Sequence, residues 1–133
     1  MTKCFADAVH FIALLNPADS KHSLARELSR ALTAEVVTTT WVLSEVASAM
    51  SAPQTRTMFA QFVDFLRGKP EITFVPATQE SFDTALQLYR DRPDKAWTLV
   101  DCVTFLTMQR YEISDALTFD QHFVQAGFRA LMR

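Results

Sequence analysis

Five short runs of β-branched or apolar residues alternate along this chain with longer stretches of helical periodicity. The runs "KCFADA" (3–8), "EVVTTT" (35–40), "EITFVPA" (71–77), "DALTF" (115–119) and "FRALM" (128–132) read as strands. Asp19 or Ser20 can N-cap a helix over about 21–33, with Leu24, Ala25, Leu28, Ala31 and Leu32 on one face. Thr40 can cap another through "WVLSEVASAM", and Pro53 separates it from a helix over about 54–67. Thr78 starts a helix that "DRPD" breaks after about Arg90, and a further helix runs from Thr98 to about Tyr111. "DQHFVQA" makes a short helix, and Gly127 supplies the turn before the closing strand. Strands separated by helices pair in parallel through right-handed crossovers. The expected fold is therefore α/β, a three-layer α/β/α sandwich with a central parallel sheet of four to five strands, and residues 1–133 are expected to form a single domain.

Composition narrows the function classes. Only two Gly occur, which leaves little room for a Gly-rich phosphate loop. No apolar stretch reaches the roughly 18 residues that span a bilayer. Asp7 and His10 interrupt the place where a signal-peptide core would lie. Cys4 and Cys102 stand far apart with no Cys-x-x-Cys partner, so reduced thiols and a cytoplasmic location are expected. The net charge of −2 gives no general pull toward nucleic acid, so any such role needs a local basic site.

In sheets of this kind, ligands sit beyond the carboxyl ends of the strands, which directs attention to what terminates each strand. Asp7 ends the first strand and Asp120 the fourth; Glu45 lies about one turn into the helix after the second strand, and Asp101 in the first turn after "DRPDKAW". Two carboxylates about 5 Å apart repel by about 3 kcal/mol at an effective dielectric of about 20. Four such groups facing one edge stay ionised only with a compensating cation, and oxygen-only ligands favour Mg²⁺ or Mn²⁺. Each acid also has an ordinary reading. Asp101 can close a capping box on Thr98, Asp120 can be a plain N-cap, and Glu45 can be the solvated flank of a stripe holding Val42, Val46 and Met50. Asp7 is hardest to explain this way, since an unpaired buried charge costs several kcal/mol.

With these residues in view, the chain resembles the PIN-domain ribonucleases, especially the VapC-type toxins of bacterial toxin–antitoxin pairs. The segment "DKAWTLVDCVTFLTMQRYEISDALTFDQHFVQAGF" (94–128) follows the family pattern: a Ser or Thr three residues before the third acid, then TxD-x-HF-x-x-AGF. Asp7 in "FADAVHFIALLNPADSKHSLA" and Glu45 in "TTTWVLSEVASAM" fall where the family's first and second acids lie. The resemblance implies a PIN-like fold and metal-dependent endonucleolytic cleavage of RNA by a metal-activated water. It implies that Asp7 and Asp101 bind Mg²⁺ or Mn²⁺ directly, and that Asp120 and Glu45 complete the acidic pocket, partly through water. Thr98 would support the site through its hydroxyl. A cognate antitoxin and a homodimer are the implied protein partners. One departure stands out. The family often has Thr or Ser in the two positions after the first acid, where this chain has Ala8 and Val9. That change motivates an alternative, a PIN-fold RNA- or protein-binding module that is catalytically weak or inactive.

Other features carry less. Arg90, Arg92 and Lys95 precede Asp101 and can meet RNA phosphate, or form a charged, solvated loop. His10, His22 and His122 form no zinc-type cluster with the cysteines; His122 reads as support for the "DQHF" turn and His10 as a helix residue near the pocket. Cys102 reads as a small buried hydrophobe. Phe59, Phe62 and Phe65, with Met58, Val63 and Leu66, make an apolar arc wider than one core stripe needs, so one margin can serve as a partner surface. A phosphoacceptor receiver domain also gathers Asp at strand ends, but no strand here ends on the Lys expected to contact its phosphoryl group.

Overall fold

The computed structural model describes residues 2–133. Five strands, β1 (Lys3–Ala6), β2 (Glu35–Thr39), β3 (Ile72–Val75), β4 (Asp115–Leu117) and β5 (Arg129–Ala130), form one sheet in which every pairing is parallel. Their order is β3-β2-β1-β4-β5. Seven helices complete the α/β/α sandwich: α1 (Ala8–Leu15), α2 (His22–Ala31), α3 (Thr40–Ala49), α4 (Pro53–Arg67), α5 (Gln79–Asp91), α6 (Leu99–Arg110) and α7 (Gln121–Gln125). Helix α1 packs on α2 and α3, while α6 packs on α5 and α7.

The central strand β1 is buried through Cys4, Phe5 and Ala6, as a strand covered on both faces must be. The chain winds outward from β1 through β2 to β3, then returns to β1's other side for β4 and β5. The direction therefore reverses between β1 and β4, and their carboxyl ends open a crevice at that point. Asp7 N–H donates to Leu117 O at 3.2 Å, which fixes the ends of the two strands side by side.

Helix α1 has no bounds in the strand–helix pattern, although His10 reads there as a helix residue. Its sequence "AVHFIALL" is apolar nearly all round, so it shows little periodicity, and it follows Asp7 with no Gly or Pro between. It ends at Asn16, before Pro17, where the residue preceding a proline leaves the helical region. Other boundaries tighten by a residue or two. Helix α2 starts at His22 with Lys21 at its N-cap, and Asp19 instead accepts the Lys21 N–H in a turn at 2.8 Å. Thr39, not Thr40, caps α3, taking the Val42 N–H at 3.1 Å.

Two chain reversals steer the C-terminal third. After α6, Ile113 N–H bonds to Met108 O (2.8 Å) and Glu112 N–H to Gln109 O (3.1 Å), with Glu112 at φ 56°. After α7, Phe128 N–H bonds to Phe123 O (2.9 Å) and Gly127 N–H to Val124 O (3.0 Å), with Gly127 at φ 92°. Both are Schellman endings, and the second explains why "AGF" follows the short helix. Phe128 is thereby turned back onto Phe105, which also packs edge-on against Trp97 and Phe123. This aromatic cluster ties α6 to α7, and each of those helices carries one acid at its start.

Candidate active site

Four segments converge at the carboxyl end of the sheet. Asp7 occupies the N-cap position of α1 but makes no side-chain cap bond. Its carboxylate Oδ2 instead accepts the Thr118 hydroxyl at 2.9 Å, and both residues are buried. Thr118 Oγ1 also accepts the Asp120 N–H at 3.1 Å, so one hydroxyl joins the ends of β1 and β4. Asp101 closes a capping box: Oδ2 accepts the Thr98 N–H at 2.9 Å, while Thr98 Oγ1 accepts the Asp101 N–H at 3.0 Å. Asp120 caps α7 through Oδ1, which accepts the His122 N–H at 2.9 Å.

His122 links the two caps. Its Nδ1 lies 2.9 Å from Asp101 Oδ2 and 3.4 Å from Asp120 Oδ1. Because a carboxylate only accepts, Nδ1 carries the proton. Asp101, Asp120 and His122 each bring a ligating atom within 4.8 Å of the others'. Among the described residues, Asp101 Oδ1, Asp120 Oδ2 and the Glu45 carboxylate accept no hydrogen bond from protein, and no Lys or Arg pairs with any of the four acids. The caps therefore consume one oxygen of each Asp and leave its other oxygen without a donor.

The titration behaviour follows from this crowding. Burial pushes the Asp7 carboxyl up to about 7 from its ordinary 3.8. The Thr118 hydroxyl and the Ala8 N–H pull it down, and the charges of Asp101 and Glu45 add to the rise. Glu45, on α3, is exposed as a residue, yet partial desolvation of its carboxylate, then the charges of Asp101 and Asp120, raise its pKa. The four acids thus feel one another's charge, and Glu45 is linked in this way to each of the other three. Excess negative charge with donor-free oxygens suits a hard divalent cation, which the residues present are able to hold.

The remaining singled-out residues fall around this set. Thr98 is exposed at the mouth of α6, and Lys95 is half-buried beside it without an ion pair among the described residues. Arg92 is engaged by Asp94 through two bonds of 2.9 and 3.0 Å and lies over the Trp97 ring at 5.0 Å. His10 is buried in α1, its Nε2 3.3 Å from Ser29 Oγ and its Nδ1 unpartnered. Burial pushes it down to about 4. It stays a neutral helix residue one turn after Asp7, with its ring turned to Ser29. Thr118 had no assigned role in the sequence reading, and His122 was read only as turn support. For Thr118 the spacing Thr118-x-Asp120 was the available signal, since alternate residues of an extended segment share a face, whereas His122 lies inside α7, one position beyond its first residue.

Against known proteins, the family model for the PIN domain matches residues 4–129. No curated protein matches the chain. Among solved structures, VapC20 of Mycobacterium tuberculosis, a sarcin–ricin-loop-cleaving toxin, superposes with a TM-score of 0.84 over 94% of this chain and 95% of that one. The two share 22% sequence identity, so the likeness is one of fold.

Proposed function

The chain belongs to the PIN domain family, and from that premise we propose that it is a metal-dependent endoribonuclease, the toxin of a toxin–antitoxin pair. The observation that carries the reading is the convergence of Asp7, Glu45, Asp101 and Asp120 at the point where strand order reverses, with no Lys or Arg paired to them among the described residues. VapC20, which shares the fold, cleaves the sarcin–ricin loop; by analogy RNA is the substrate class here.

Asp7 and Asp101 would hold Mg²⁺ or Mn²⁺ directly, with Asp120 and Glu45 contributing partly through water. When bound, the cation supplies Lewis-acid polarisation of a phosphoryl oxygen and makes water a better nucleophile. The chain's own residues prepare for that. Thr98 and His122 fix Asp101 by its Oδ2 and leave Oδ1 free. Thr118 orients Asp7, which must shed any proton it holds near neutral pH before it can ligate. Glu45, with its pKa raised by partial desolvation and by the neighbouring acids, would accept a proton from water. Lys95 offers a charge for substrate phosphate, and Arg92 does so only by leaving Asp94.

The alternative of a non-catalytic binding module started from Ala8 and Val9. Asp7 still receives a hydroxyl from Thr118, just beyond the neighbouring strand β4, and all four acids are kept, which favours the catalytic reading. A cognate antitoxin and a homodimer partner would find apolar surface on α4, where Met58 and Phe65 are exposed. We take residues 1–133 as one domain and the cytoplasm as its location; both cysteines are free, and no described helix is long and apolar enough to cross a membrane. Purified protein should cleave RNA with Mg²⁺ or Mn²⁺, and Asp101→Asn should abolish cleavage. Cleavage that survives both a chelator and that substitution would sink the mechanism.

A further inference from the structure

Beside the acids, not over them, lies a cleft of about 910 Å³ between the end of α5 and the start of α6. Its walls include Tyr89, Arg90, Arg92, Lys95, Trp97 and Thr98 and contain no carboxylate. In a chain of net charge −2, three cations around one opening are a marked local segregation of charge. Arg92 is bonded to Asp94, whose charge Lys95 also feels. With Arg92 laid over Trp97, and the Trp97 indole N–H donating to Gln125 Oε1 at 3.2 Å, that wall is braced against α7. Arg90 and Lys95 have no ion pair among the described residues. Tyr89 presents an aromatic ring that is half exposed. Thr98 belongs both to the cleft wall and to the capping box of Asp101, so the cleft adjoins the acidic site through that residue.

We propose that this cleft is a binding subsite for a single-stranded RNA nucleotide flanking the cleaved bond, with its base stacked on Tyr89 and its phosphate held by Arg90 and Lys95. An aromatic face next to unpaired cations matches a base and its phosphate, the combination by which proteins track single strands. An acidic protein segment would use the cations and leave the ring without a matching group. The cleft also answers an electrostatic difficulty, because the acids repel a polyanion until their cation is bound. Positive groups just outside the acids hold the strand near them, and Tyr89 fixes its register. This subsite rests on the nuclease reading, which supplies the scissile bond beside it.

The test measures binding and cleavage separately. Binding of a fluorescent single-stranded RNA oligonucleotide is followed by anisotropy in chelator, where nothing is cut, across a series of salt concentrations. Tyr89→Ala should weaken binding roughly ten- to hundredfold, and Tyr89→Phe should restore it, since the ring and not the hydroxyl does the stacking. Arg90→Ala with Lys95→Ala should lower the slope of log K against log salt by about 0.7, the value for the one phosphate the two cations share. With Mg²⁺ or Mn²⁺ present, the same variants should raise KM for the oligonucleotide while wild-type kcat is kept. If wild type and variants bind and cut alike, the subsite is overturned and the nuclease reading stands. If RNA binding depends on Tyr89 but nothing is cut with either metal, the nuclease reading falls and the cleft remains an RNA site. Binding of polyglutamate in preference to RNA would assign the cleft to an acidic protein segment and overturn the proposal.

Discussion

Replacing Asp7 by Asn should stabilise the metal-free protein, and the gain should grow with pH. In the fold the Asp7 carboxyl titrates near pH 7, while its ordinary value is 3.8. Between those values the folded state keeps a proton that the unfolded chain has released. Each pH unit in that window lowers the stability of the wild type by about 1.4 kcal/mol. The contribution is intact below about pH 4, falls as pH rises toward 7, and is then constant. The wild type is therefore disfavoured by about 2 kcal/mol near pH 5 and about 4 kcal/mol near pH 8, relative to a side chain that never ionises. Asn is such a side chain, and its amide can still pair with the Thr118 hydroxyl. Urea unfolding of both proteins in chelator, from about pH 5 to 8, reads the difference directly. His10 titrates over part of that range, but both proteins carry it and it cancels. Mg²⁺ should then raise the wild-type midpoint more than that of Asp7→Asn, since binding to the folded state alone is stabilising. The reasoning is refuted if Asp7→Asn is no more stable than wild type at pH 8, or if the gap between them does not change with pH.

Two further outcomes follow from the packing around the acids. His122→Ala removes the donor that orients Asp101 Oδ2 and should cost roughly ten- to hundredfold in metal affinity or cleavage, with unfolding little changed. A Mg²⁺ titration of RNA cleavage measures this, and full activity at the wild-type metal concentration would discard the role. Phe105→Ala opens the aromatic cluster against Trp97, Phe123 and Phe128 and should destabilise by about 3–5 kcal/mol. A urea midpoint corresponding to less than about 1 kcal/mol would mean the cluster collapses around the deletion.

Where the sequence could be read correctly, the interaction was local. The alternation of β-branched runs with helical stretches settled the class, because a parallel sheet needs a crossover helix between strands. The capping bonds of Thr98 with Asp101 and of Asp120 with His122 were legible for the same reason, since they close within one turn of chain. The bounds of helix α1 were lost because periodicity cannot show in "AVHFIALL", where almost every side chain is apolar. Nothing local marked Thr118 as the partner of Asp7, for the two stand 111 positions apart. The same holds for His122 and Asp101, separated by 21 positions and joined only when α7 folds back on α6. The sheet order that brings β1 beside β4 was equally out of reach: pattern identifies strands, while their order depends on which packing of all seven helices buries the most apolar surface. Sequence alone thus determined which acids lie at the strand ends and that one oxygen of each Asp cap is engaged by the backbone. Tertiary structure decided that their remaining oxygens share one crevice, and with that the raised pKa of Asp7, because a charge feels burial and other charges only once the chain has brought them together.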